Sequence, residues 1–185
     1  MHKKGNKMYY AFIEDNKLIG CGQCICENVT CIEITENIFN NIDRYAYING
    51  EIVEDPDYDE RQIKKAKKAK YAENEKIRDE FLVSGVTYKD VVFDSDTDQK
   101  INILATVSTM SDADTINWYG KDGVSYVVCT KADLLAIGEL ITRTTAYVWQ
   151  YRNPEIKDLI EKAQTIEELD AIDISYEPVT IESEV

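Results

Sequence analysis

The chain has 185 residues, 44% of them hydrophobic, which is enough to bury a core in one ordinary domain or two small ones. Its formal net charge of −14 argues against a primary role in binding nucleic acid or an anionic membrane, because such binding rests on clustered, accessible positive charge. Eight glycines and three prolines without a low-complexity tract argue against disorder, and no apolar run approaches the roughly 20 residues of a membrane span.

The opening MHKKGNK is basic and holds His2, the one histidine. It is followed by MYYAFIEDNK rather than an apolar stretch, so it does not fit a secretory signal, and synthesis in the cytoplasm is expected. MYYAFIEDNKLIGCG reads as a strand, a polar turn at Glu14 to Lys17, and a second strand. The stretch CGQCICENVTC then places Cys21, Cys24, Cys26 and Cys31 within eleven positions. Four thiolates are in principle a zinc or iron–sulfur ligand set. The spacing argues against it, since paired zinc knuckles stand a dozen or more residues apart. The expectation is a strand using cysteine as a small hydrophobe, with Cys24 and Cys26 on one face and Cys21 on the other, and no cofactor. A reducing cytoplasm disfavours a disulfide, and five cysteines cannot all pair.

Thr35 is placed to cap one or two helical turns carrying Ile38, Phe39 and Ile42, and RYAYINGEIV forms a second hairpin about Asn49-Gly50. Residues 1–58 are thus a β-rich head with a basic leader, ending at the acidic EDPDYDE. A connecting helix over 59–84 follows, running from about Asp59 to Leu82 with an apolar stripe of Ile63, Ala66, Ala69 and Ala72, then Ile77, Phe81 and Leu82. Arg61 to Lys70 carries six basic residues and no acid, whereas the remainder has 15 basic against 35 acidic residues. Lys64, Lys65, Lys67 and Lys68 are therefore either a solvated face or a docking strip for an acidic partner.

Residues 85–175 read as a mostly helical unit with two short hairpins. VTYKDVVF turns at Lys89-Asp90, and Ser95 or Asp96 caps a helix whose apolar positions are Ile101, Leu104, Ala105 and Val107. DSDTD, at 94–98, opens like a calcium loop but has Gln99 and Ala105 where glycine and glutamate are required, so capping is the better reading. INWYGKDGVSYVVCT is the clearest hairpin, with Gly120 and Gly123 in its turn and Cys129 as core packing. Thr130 and Asp133 start a helix through Tyr151, with Leu134, Leu135, Ile137, Gly138, Ile141, Tyr147 and Val148 on its apolar face, until Asn153-Pro154 interrupts it. A further helix runs through Ala163, Thr165 caps IEELDAI, and 176–185 is expected to be a loose tail. The fold class is α+β.

Familiar catalytic sets lack their parts. The histidine lies in the leader, there is no phosphate-binding glycine loop, and any two carboxylates in so acidic a chain are ordinary surface charge. No enzyme activity is expected. Trp118, Trp149, Tyr147 and Tyr151 are core residues by default, with an interface as the alternative.

GVTYKDVVFDSDTDQKINI, NWYGKDGVSYVVCTKADLLAIG and AQTIEELDAID together, over about residues 70–174, resemble an uncharacterised domain family of tailed-phage tail-fibre, baseplate-associated and tail-fibre-assembly proteins. The resemblance implies a structural component of a phage tail or phage-tail-like particle at the baseplate or a fibre attachment point, assembled in the host cytoplasm. Its partners would be other tail, baseplate or fibre proteins or further copies of itself, with neither nucleic acid nor membrane. The alternatives are a fibre-assembly chaperone absent from the mature particle and, more remotely, a thiolate-metal regulatory protein.

Overall fold

A computed structural model describes residues 7–180, which form an α+β fold of small antiparallel sheets and helices. His2, most of the basic leader and the last five residues lie outside the described residues. The chain divides into two compact units between Lys64 and Lys65. That division falls inside a helix, α2 (Tyr58–Ser84).

In the first unit, strands β1 (Tyr9–Glu14), β2 (Lys17–Gly22) and β3 (Thr30–Ile34) form an antiparallel sheet in the order β2-β1-β3. Tyr9, Ala11 and Ile13 alternate along β1 and are buried, the period of a sheet with one covered face. Thr35 caps α1 (Glu36–Asn40), accepting from the Ile38 N–H at 3.3 Å. The Tyr9 ring lies 4.6 Å from that of Phe39, its hydroxyl donates to Glu36 at 2.8 Å, and Ile38 and Ile42 complete the cluster on Tyr9, Ala11 and Ile34. After a 3-10 turn at Ile42–Arg44, β4 (Tyr45–Ile48) and β5 (Glu51–Glu54) pair about Asn49 and Gly50, both at positive φ as a two-residue hairpin turn requires.

The second unit contains two further hairpins, β6 (Val86–Tyr88) with β7 (Val91–Phe93) and β8 (Thr115–Tyr119) with β9 (Tyr126–Thr130). Its helices are α3 (Thr97–Thr109), α4 (Lys131–Ala146), α5 (Asn153–Lys162) and α6 (Ile166–Asp170), together with the part of α2 from Lys65. The hairpins meet at Gly120, where an added Cβ would stand 2.6 Å from Val91 Cγ1 and 2.8 Å from the Val92 carbonyl oxygen. That close approach lets the Lys121 N–H donate to the same oxygen at 2.8 Å. Phe93, Leu134, Ile137, Ile141 and Cys129 are fully buried in one apolar layer with Val86, Ile103 and Leu140. Trp118 packs at its edge with its indole N–H buried and unpartnered among the described residues.

On α3 the inward residue is Ile103, with Val107 and Met110 behind it, while Ile101, Leu104 and Ala105 are exposed. The helix has apolar groups on two faces, and of the expected core positions only Val107 lies on the covered one.

Asn153-Pro154 does not interrupt the long helix. Residues Tyr147–Arg152 widen into a π-turn, in which the Asn153 N–H reaches the Val148 carbonyl, and α5 continues without a break. A proline in a helix removes one N–H and crowds the carbonyl four residues back, and the wider turn relieves both.

On α2 the predicted alanine stripe fails, since Ala69 and Ala72 are exposed. The packed face is polar. Lys67 donates to the Glu161 carbonyl at 2.5 Å, Tyr71 to Glu161 Oε2 at 3.1 Å, and buried Asn74 to Asn153 Oδ1 at 2.9 Å, while Arg78 lies 4.6 Å over the Trp149 ring. Partners descending from 161 to 149 as α2 ascends from 67 to 78 make the two helices antiparallel. Tyr176, expected in a loose tail, is buried, donates to Asn74 Oδ1 at 2.7 Å and stacks on Phe81 at 5.6 Å. Arg152 holds the preceding residues, donating to the Ser175 and Asp173 carbonyls at 2.9 Å.

Candidate interaction surfaces

Helices α3 and α4 meet where α4 has Gly138, whose missing side chain faces Ile103 Cγ2. The result is an open apolar groove of about 540 Å³. Its floor is Ile103 and Gly138, and its walls are Leu104 and Val107 from α3 and Leu135 from α4. Leu104 is 72% exposed and Leu135 54%, large values for branched apolar side chains this close together. The rim is polar and internally satisfied, with Arg143 paired to Glu139 at 2.6 Å and Lys100 donating to Thr145 Oγ1 at 3.2 Å. Its floor and walls are apolar, and its charged groups, Lys100, Glu139 and Arg143, stand at the rim.

A second apolar surface is the outer face of the β8–β9 hairpin. Cross-strand pairing sets Asn117 against Val128 and Tyr119 against Tyr126, all exposed, with the two tyrosine rings 5.5 Å apart. Trp118 and Val127 face the core instead. Trp149 and Tyr151 are exposed and Tyr147 is half-buried, so of the four aromatic residues singled out from the sequence only Trp118 joins the apolar layer.

The lysine strip is not uniform. Lys64, Lys65 and Lys68 are exposed, whereas Lys67 is turned inward to the Glu161 carbonyl at the end of α5.

Cys21 lies in β2 and Cys31 in β3, but Cys24 and Cys26 do not continue a strand as expected. β2 ends at Gly22, and Cys24 and Cys26 are exposed in the loop that follows. Gly22, Gln23, Glu27 and Asn28 favour a turn over a sheet face, and Ile25 between the two cysteines is left exposed. Cys21 is half-buried and directed at the Phe39 carbonyl oxygen at 3.7 Å, where burial pushes its thiol pKa up. Among the described residues no three histidine, cysteine, aspartate or glutamate side chains converge as a metal-binding group.

The DSDTD carboxylates are used locally: Asp96 accepts from the Gln99 N–H at 2.7 Å as the cap of α3, and Asp94 pairs with Lys121 at 3.6 Å. Ser95 donates to the Leu82 carbonyl at 2.5 Å.

Asp133 is the most strongly held carboxylate. Burial would raise its pKa, but Lys89 at 2.7 Å, Tyr88 at 2.6 Å and the N–H and hydroxyl of Thr130 at 2.9 and 2.8 Å all donate to it, and the net result lies well below the usual carboxylate range. Tyr88 is pushed up to about 12 by burial and then by its bond to Asp133. Burial likewise raises Cys129 to about 11, leaving an inert packed thiol. Asp133 and Thr130 close the capping box of α4, so this node fixes the start of that helix.

Apolar periodicity assigns Leu104 and Leu135 to the core, whereas both line the groove. A signal was present, because Ile101 and Leu104 cannot share the inward face with Ile103, Val107 and Met110 at 3.6 residues per turn. The Asn74 and Tyr176 node had no comparable signal.

Among the described residues no helix is long and apolar enough to cross a membrane. The model of a family described as a domain of unknown function (DUF4376) matches residues 65–175, more than half of the chain. The match begins at the first residue of the second unit and ends one residue before Tyr176. No curated protein and no solved structure shows a significant match.

Proposed function

The chain belongs to the DUF4376 family, and on that premise we propose that it is a structural component of a phage tail or phage-tail-like particle, attached at the baseplate or a fibre attachment point. The resemblance to tail-fibre and baseplate-associated domains over about residues 70–174 falls within the matched region. The observation that carries the reading is the groove between α3 and α4. Exposed apolar surface forgoes roughly 25 cal/mol per Å² of burial, and a neighbouring tail protein offering an apolar ridge would recover it. Lys64, Lys65 and Lys68 would add electrostatic steering toward an acidic neighbour. Catalysis and cofactors have no part in this reading.

Mass spectrometry of purified, crosslinked particles tests it. The protein should be present at fixed stoichiometry, with Lys100 crosslinked to another tail protein. Leu104→Glu with Leu135→Glu should keep the isolated protein folded and abolish incorporation. Presence in lysate but absence from mature particles would instead identify an assembly chaperone and end the structural reading.

A further inference from the structure

Within the cysteine cluster, Cys31 is hydrogen-bonded to the backbone of Cys26. Cys31 Sγ lies 3.4 Å from the Cys26 amide nitrogen and 3.7 Å from the Cys26 carbonyl oxygen. Those atoms belong to the two peptide groups that flank Cys26 Cα. The Cys31 sulfur therefore sits beside that Cα, within a side chain's length of the Cys26 thiol. The intervening residues turn tightly, with Asn28 in the left-handed region at φ 76°, a conformation asparagine accepts more readily than most residues. Cys26 is exposed and Cys31 half-buried, so a small reagent meets Cys26 first. Cys21 is committed to the Phe39 carbonyl on another side of the sheet.

We propose that Cys26 and Cys31 are a reversible dithiol–disulfide pair whose co-reactant is a low-molecular-weight disulfide. The Cys26 thiolate attacks one sulfur of that disulfide, a mixed disulfide forms, and the first small thiolate leaves. The Cys31 thiolate then attacks the Cys26 sulfur, closing the protein disulfide and expelling the second small thiolate. The two protein thiols lose two protons and two electrons, and the small disulfide takes them up as two thiols. Closure requires a Cα separation of roughly 4.4 to 6.8 Å, and the exposed loop supplies the adjustment. The closed ring is short, so the bond acts as a local staple between the loop and β3, an edge strand of its sheet, rather than as a support of the whole fold. A reducing medium keeps the pair open, and an oxidising one closes it. The inference is independent of the proposed tail function.

The test is to equilibrate the reduced full-length protein with oxidised glutathione, alkylate it, and map its peptides. Two alkylation sites should be lost together, a Cys26–Cys31 linked peptide should appear, and dithiothreitol should restore both sites. Cys24→Ser should leave this pattern intact, whereas Cys31→Ser should trap glutathione on Cys26. Stable glutathionylation of Cys26 in the unaltered protein, or a linked peptide containing Cys24 in place of either partner, would overturn the assignment. Circular dichroism unchanged between the variants excludes unfolding as the source of any difference.

Discussion

Helices α3 and α4 are joined through an apolar layer, whereas α2 is joined to α5 through hydrogen-bonded side chains, and the two seams obey different rules. In the apolar layer, attraction scales with area and tolerates similar shapes, so Ile103, Ile137 and Ile141 define that helices pack more than the register in which they pack. In the polar seam each bond contributes little net stability, but a shifted register strands a buried amide. The buried Asn74, satisfied by Asn153 on one side and Tyr176 on the other, accepts one alignment only. The apolar layer supplies the larger share of stability, and the seam sets the position of the C-terminal segment against α2.

The widest separation between the two regions comes from truncating the layer itself. Phe93→Ala removes a fully buried ring and should destabilise the protein by about 3 to 5 kcal/mol in urea unfolding. Leu104→Ala, one helix away but on the exposed wall of the groove, should change stability by no more than about 0.5 kcal/mol. Comparable losses for the two would mean that the groove is closed in solution.

The seam should answer differently. Asn74→Leu keeps the branched shape of the side chain and leaves the Asn153 amide and the Tyr176 hydroxyl unpaired, at a cost of about 1 to 3 kcal/mol for each buried group left unsatisfied. Tyr176→Phe removes one bond and keeps the stacking on Phe81, so its loss should be nearer about 1 kcal/mol. An Asn74→Leu protein more stable than the parent would show that polarity in the seam is incidental. Protection of the backbone around residues 173–176 from hydrogen exchange should fall in both variants before global unfolding.

The contrast also explains what was legible in the sequence. Hairpin turns such as Asn49-Gly50 and Lys89-Asp90, and caps such as Thr35, Asp96 and Thr130, are encoded locally, by residues that tolerate positive φ or accept a backbone N–H three positions on. The apolar layer was legible as a set of residues but not as a set of faces. α3 carries two apolar faces, and periodicity alone does not say which of them a neighbour covers. The α2 seam was hidden because a lysine, a tyrosine and an asparagine look like a solvated face until their partners some 80 to 100 positions away are in place. The exposed cysteine loop is hidden for a related reason: cysteine is so often buried that its presence points to burial, yet Cys24 and Cys26 are exposed.

One carboxylate brings the polar rule into the apolar region. Asp133 has its folded pKa depressed below the unfolded value of about 3.9, so its contribution is present above that value and is lost as pH falls toward the folded pKa. Asp133→Asn should therefore show a flatter loss of stability below about pH 5 than the parent, with the two stability curves converging in acid. Parallel curves would mean that Lys89 and Tyr88 do not hold the carboxylate in solution. The difference curve is the informative quantity, because the other carboxylates contribute equally to both proteins.

The smallest effects separate one lysine from its neighbours. Lys67 reaches the Glu161 carbonyl near the end of α5, where a cation complements the helix dipole by about 0.3 to 1 kcal/mol. Lys64, Lys65 and Lys68 point into solvent and should each be worth close to nothing for folding. Lys67→Gln should thus lower the melting temperature slightly, while Lys64→Gln, Lys65→Gln and Lys68→Gln combined should leave it nearly unchanged. Binding should order the same variants in reverse. Charges free of internal partners are the ones that steer an acidic neighbour, so the triple variant should slow association at low salt and lose most of its difference from the parent at high salt, where exposed charges are screened. Should the triple variant melt below Lys67→Gln, the exposed lysines are engaged within the fold and the solvated strip is the wrong description. Should it associate normally at every salt concentration, the strip is solvated and takes no part in docking, and the partner is held by the apolar groove alone.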